Sequence, residues 1–197
     1  MARGKKEIRQ AIIAAAFDQI RQHGADQLSL RAIARAIGYS PAGLYEYFDG
    51  KADIVQAVRE LAQGRFFEQL DLVPADLPPE EYILELGLAY IQFARNYPQE
   101  FLLLVTDQRG SIPDNTRERS LAQASYGLLD QAVENAINTG KIKTRAGFGK
   151  DEAAYTLWAL VHGMAMLQVA YQRQLSINSK EADPAALRAL IMGLAAQ

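Results

Sequence analysis

The stretch that most limits what this chain can become is Leu28–Lys51, LSLRAIARAIGYSPAGLYEYFDGK. Ser29 stands where a helix N-cap would, its hydroxyl able to accept a backbone N–H of the first turn. In the residues that follow, RAIARAIG, Ile33, Ala34 and Ile37 share one face at helical spacing. Gly38 then tolerates left-handed backbone, so the chain can turn sharply with no Cβ penalty. Ser40 is a second N-cap, and Pro41 takes the first helical position, where a missing N–H costs nothing. Asp49-Gly50 is a turn signal, and another helix opens near Lys51. Helix, short glycine turn and helix is the layout of a helix-turn-helix, whose second helix can enter the major groove of DNA.

The remaining segments all read as helices. An apolar stripe of Ile13, Ala16, Phe17 and Ile20 marks a first helix over Lys5–Gln22, stopped by Gly24. It should close a three-helix core with Ile33, Ile37, Leu44 and Phe48. A fourth helix runs from about 51 to 70. Three prolines within nine residues, at 74, 78 and 79, break the chain at Asp71–Pro79. Helices are then expected over Pro79–Arg95, Pro98–Thr106, Pro113–Thr139 and Asp151–Gln174, with loops at Gln108–Pro113, Thr144–Gly149 and Asn178–Asp183. Asp183 as N-cap with Pro184 at the first position opens a last helix carrying Leu187, Leu190, Ile191 and Leu194. No segment shows sustained alternation, so the expected fold is all-α with about nine helices. A DNA-binding domain over 1–52 hands over, along the fourth helix, to a helical regulatory and dimerisation domain over 53–197.

From Ile12 to about Ile54 the chain resembles the TetR family of bacterial transcriptional regulators. The likeness rests on Phe17, Gly24, Leu30, Ile33-Ala34, Gly38, Ser40, Leu44-Tyr45, Tyr47-Phe48 and Lys51, and above all on the run SPAGLYEYFDGK. The resemblance implies that Lys51, Tyr45 and Tyr47 contact the DNA backbone. Beyond that span the likeness is the all-helical layout and one local run. Trp158, His162 and Gly163 (W-x-x-x-H-G) resemble a TetR subgroup whose C-terminal domain carries a Trp, His and Gly signature.

Physical reasoning adds further DNA contacts. Lys51 joins a positive side chain to the positive end of a helix dipole, a combination that favours phosphate. Ser29 and Ser40 can direct hydroxyls or capped backbone N–H groups to phosphates. Arg31 can reach a guanine or a nearby phosphate. The exposed recognition turn, Pro41, Ala42 and Gly43, has no hydrogen-bonding side chain. Direct base readout should therefore be sparse, carried by Arg31, Tyr39 and Tyr45, with DNA shape contributing.

Charge supports contact at one end. Residues 1–55 carry eight Lys/Arg and six Asp/Glu, while the rest carries 13 and 17, for a net charge of −2. Hydrophobic residues make up 49% and charged residues 22% of the 197, which excludes wholesale disorder. No apolar run approaches the ~18 residues of a membrane span, and no signal-peptide pattern opens the chain. The absence of Cys excludes disulfides and fits a reducing cytoplasm.

A helix-turn-helix of this size reads half a site, so a homodimer on a palindromic double-stranded operator is expected. Ala159, Gly163 and Met166, with Leu187, Leu190, Ile191 and Leu194, are the candidate dimer stripes of the last two helices. Aromatic and apolar residues of the body, Phe66, Tyr82, Leu86, Tyr90, Phe93, Phe101, Tyr126, Trp158 and His162, are candidates to line a site for a small hydrophobic or aromatic effector. Only His23 and His162 are available as imidazoles, and GxSxG, P-loop and GxGxxG motifs are absent, so neither a metal site, a cofactor nor catalysis is indicated. The expected function is a ligand-responsive repressor. Alternatives are a regulator controlled by a protein partner, a DNA binder with a filled core, or a small-molecule-binding bundle that has lost DNA binding.

Overall fold

The computed structural model describes residues 4–106, 116–171 and 176–195, with backbone alone for 106 and 116–125. Among the described residues there are eight α-helices and no strand. They are α1 (Lys5–His23), α2 (Leu30–Ile37), α3 (Lys51–Asp71), α4 (Pro79–Asn96), α5 (Pro98–Thr106), α6 (Thr116–Asn138), α7 (Lys150–Tyr171) and α8 (Ser179–Ala195). Short 3₁₀ turns cover Ala25–Gln27 and Ala42–Glu46. The second of these stands where a ninth helix was expected. Pro41 brings no N–H and Gly43 is a poor helix former, so the segment closes with tighter i to i+3 bonds, such as Gly43 N–H to Ser40 O at 3.0 Å. The expected loop over Gln108–Pro113, and the ends of two helices at Pro113 and Gln174, lie outside the described residues.

The chain divides into two compact units, Met1–Arg65 with Tyr97–Arg109, and Phe66–Asn96 with Gly110–Gln197. In the first, Ile12, Ile20, Ile33, Leu44, Phe48 and Ile54 are buried in one core, and Phe17 and Ile37 pack partly buried against it. α5 belongs to this unit and contributes the buried Leu103. Its Glu100 is only 1% exposed and accepts twice from Arg65 Nη1, at 2.9 and 3.2 Å. The same guanidinium lies 4.8 Å from the Phe17 ring centre and 5.0 Å from that of Tyr97, so one cation joins α1, α3 and α5. Burial raises the Glu100 pKa, against the opposing pull of Arg65.

In the second unit α4 packs on α6, α7 and α8. Gly87 lets α4 approach closely: a Cβ there would stand 3.1 Å from both Leu187 Cδ1 and Val161 Cγ2. α8 begins at Ser179, a turn before the expected cap, and Pro184 lies inside it. Asn178 opens the helix instead, its Oδ1 accepting from Lys180 N–H at 3.3 Å. Asp183 is not a cap because its carboxylate is buried and accepts from Arg95 Nη2 at 2.8 Å, while Ser179 Oγ meets the same nitrogen at 3.2 Å. A tertiary ion pair outweighs the local signal.

Contrary to expectation, α7 is long and apolar enough, by those two criteria alone, to cross a bilayer. Ala153, Ala154, Leu157, Val161 and Ala165 are buried within the second unit, while Tyr155, Trp158, Leu167 and Tyr171 of the same helix are exposed.

Candidate nucleic-acid interface and interior aromatic site

The first unit presents the helix-turn-helix through local bonds. Ser29 Oγ accepts from Ala32 N–H at 3.4 Å, and Gln19 Oε1 holds the Ser29 N–H at 3.1 Å. Gly38 is left-handed at φ +74°, and the bond from Tyr39 N–H to Ala34 O at 2.8 Å completes the α2 terminus. Ser40 Oγ accepts from Gly43 N–H at 3.0 Å, the cap its position promised. Leu44 and Phe48 point into the core, and Arg9 stacks over the Phe48 ring at 4.7 Å. That anchoring leaves Arg31, Tyr39, Ser40, Pro41, Ala42 and Tyr45 exposed, Tyr45 at 58%.

Tyr47 is half-buried, edge-on to Tyr39 at 6.5 Å, and desolvation followed by Tyr39 and Glu46 raises its pKa, so it stays a phenol and a hydrogen-bond donor. Lys51, exposed at the start of α3, gives one Nζ–H to Asp26 O at 3.0 Å, which leaves two N–H groups for an anion. Asp53 caps the same terminus by accepting from Asp49 N–H at 3.1 Å. Donors, a helix N-terminus and a protruding turn thus share one continuous segment, Ser29 to Lys51.

The second unit brings five of the proposed ligand residues together. Phe66 meets Tyr90 at 5.3 Å and Phe93 at 5.0 Å, both edge-on. Tyr90 Oη lies 2.9 Å from His162 Nδ1, and the His162 ring stacks on Trp158 at 5.4 Å. Burial pushes the Tyr90 phenol up and the His162 imidazole down, so near neutrality both are uncharged. An aromatic cluster with one neutral polar pair is suited to an apolar or aromatic guest. Leu86 is buried on α4, Tyr82 is half-buried on the same helix, and Tyr126 is exposed on α6. Phe101 is buried on α5, which belongs to the first unit.

The proposed dimer stripe divides. Leu187, Ile191 and Leu194 are buried within the chain, Leu187 at 1%, because α8 needs an apolar face to dock on its own bundle. They are unavailable to a second copy. Ala159 is exposed, and Gly163, Met166 and Leu190 are half-exposed. The sequence reading missed the larger outward residues, Tyr155, Leu167 and Tyr171 on α7 and Met192 on α8, the last 69% exposed. Leu167 and Tyr171 are spaced i, i+4, but α7 is apolar around its circumference, which hides the phase. Among the described residues no group of three or more His, Cys, Asp or Glu is arranged to hold a metal.

A helical unit exposing a helix-turn-helix, joined to a helical bundle with an aromatic interior, defines a class: two-part DNA-binding regulators. Residues 12–58 match the family model described as bacterial regulatory proteins, tetR family, and residues 83–195 match the tetracyclin repressor-like C-terminal domain. The chain belongs to the TetR family and is a DNA-binding transcriptional regulator. It is 22% identical over 169 residues to an uncharacterised HTH-type transcriptional regulator of Mycobacterium tuberculosis, covering 86% of this chain and 73% of that one. A structure of a protein of unknown function from Rhodococcus sp. RHA1 superposes with a TM-score of 0.82 at 24% identity, over 95% of each chain. The crystal structure of AibR in complex with isovaleryl coenzyme A and operator DNA superposes at 0.72 and 18% identity, over 93% of this chain and 97% of that one.

Proposed function

We propose that this protein is a homodimeric, cytoplasmic repressor released from a palindromic operator by a small, uncharged hydrophobic or aromatic effector. The observation that carries the reading is the pairing, in one chain, of the exposed Ser29–Lys51 recognition segment with the Phe66, Tyr90, Phe93, Trp158 and His162 cluster. The AibR complex supports the pairing of a ligand site with DNA binding on one such fold, since that neighbour holds isovaleryl coenzyme A and operator DNA. The run Trp158, His162, Gly163 supports membership of the Trp-His-Gly subgroup.

In this reading Lys51, Tyr45, Tyr47 and Ser40 engage phosphates, Arg31 and Tyr39 read base edges or nearby phosphate, and Ala42 and Gly43 let the backbone approach the groove. Two copies pair through the outward face of α7 and α8, where Tyr155, Ala159, Gly163, Leu167, Tyr171 and Met192 form the apolar surface. Guest binding among the rings displaces side chains of α4 and α7 and changes the spacing of the two recognition segments. Effector and operator then oppose each other by one reciprocal coupling energy, about 1–3 kcal/mol.

The test is a pair of titrations on the same duplex. The effector should weaken operator binding, and saturating operator should weaken effector binding by the same factor. A ligand that enters the aromatic cluster and leaves operator affinity unchanged contradicts the switch. In sedimentation, Leu167→Glu should yield monomers, and a wild-type-like dimer would move the interface elsewhere.

A further inference from the structure

We propose that the second unit carries another ligand site, a cleft for a small uncharged ring compound bearing a hydroxyl or amide, distinct from the aromatic cluster. The cleft is a half-open depression of about 270 Å³ between the segment joining α3 to α4 and α6. Leu77, Leu128 and Ala132 give it an apolar wall, and Tyr82, Gln131 and Asn135 give it a polar edge. Gln131 and Asn135 stand one turn apart on α6, so both amides serve the same side of the cleft. Among the described residues none of these three polar side chains spends its hydrogen-bonding groups on protein. Tyr82 lies two turns before Tyr90 on α4 and is the one residue here that was also expected to line the effector site.

Size and charge select the class of guest. An apolar cavity of about 150 Å³ holds a benzene ring, so this volume takes one ring with its substituents and little more. No charged side chain lines it. Acidic Asp76 and Glu134 adjoin lining residues in sequence. Lys141 pairs with Glu80 at 2.8 Å and Lys150 with Asp130 at 2.9 Å, and neither lines the cleft. A carboxylate or phosphate would find no cation in the lining to receive it, whereas a phenol or amide finds both donors and acceptors. The wall is preset, because Pro74, Pro78 and Pro79 restrict the joining segment and Val73 N–H closes a turn on Leu70 O at 3.0 Å.

The proposal does not depend on the effector reading above. Fluorine NMR of para-fluorophenol against the full chain tests it, with para-fluorobenzoate as the charged counterpart. The phenol should bind at least about tenfold more tightly than the benzoate. Ala75→Trp, an exposed lining position, should fill the cleft and abolish binding while circular dichroism stays wild-type. Gln131→Ala with Asn135→Ala should weaken binding without abolishing it. Equal binding of the two probes, binding that survives Ala75→Trp, binding lost only with His162→Phe, or no binding at all each overturns the site.

Discussion

The two units of this protein are held together by different kinds of information. In the first, the functional surface is set by bonds that span a few residues: Ala32 to Ser29, Tyr39 to Ala34, Gly43 to Ser40 and Asp49 to Asp53. In the second, the decisive contacts join residues far apart in the chain, Arg95 with Asp183, Tyr90 with His162, and Gly87 with Leu187. A DNA-reading turn must keep one geometry, and short-range caps and a left-handed glycine provide it. A body that admits guests can vary its interior as long as its helices still dock. Local rules therefore describe the first unit well and the second poorly.

The contrast is sharpened first at the buried ion pair. Arg95→Ala strands the Asp183 carboxylate and should cost about 3–5 kcal/mol in denaturant unfolding, because both partners are largely withdrawn from water. Asp183→Asn should cost less, since burial already raises the Asp183 pKa and favours a neutral group there. If Arg95→Ala is silent, long-range pairing does not hold the second unit. Next, Gly87→Ala places a methyl 3.1 Å from Leu187 and Val161 and should cost about 1–3 kcal/mol by overpacking. Melting that matches the wild type would mean that α8 yields at little cost.

For the first unit the matching change is Gly38→Ala, which forces a side chain into φ +74° and should cost about 1–2 kcal/mol, with operator affinity falling in step. Stability lost without any loss of affinity would separate the turn from the reading surface. The smallest expected effect concerns Glu100. Its folded pKa is raised, so the native state holds the proton more tightly than the unfolded chain. Stability from this group is complete below its ordinary value of 4.5 and is lost as pH rises through the raised value. Glu100→Gln should flatten that part of the stability profile, and an unchanged slope would assign it to other groups.

What the sequence revealed follows the same division. Ser29, Gly38 and Ser40 were legible because each cap and its partner lie within a turn or two, and Lys51 because it opens a helix, although its ammonium bonds the Asp26 carbonyl 25 residues away. Even there the recognition helix tightened into a 3₁₀ turn, since Pro41 has no N–H and Gly43 propagates an α-helix poorly. Asp183-Pro184 carried a sound start signal, yet a partner 88 residues away claimed the carboxylate and the helix began earlier. Leu187, Ile191 and Leu194 had the right spacing for an apolar face, but spacing does not say whether that face meets the same chain or another. Phe101 had the right chemistry for the effector site and fell in the other unit, because short α5 packs with α1. Tyr90, Phe93, Trp158 and His162 came together because α4 packs against α7, with Phe66 of α3 edge-on to Tyr90 and Phe93, which no local pattern states.

The central claim is that the Ser29–Lys51 segment reads DNA as one half of a symmetric pair. Selection of bound sequences from a random duplex pool, with the purified protein and no added ligand, tests it most directly. The account predicts enrichment of a palindrome whose half-sites are separated by about one helical turn of DNA or a multiple of it. Recovery of no sequence above background, even at low salt where phosphate contacts are strongest, would contradict it.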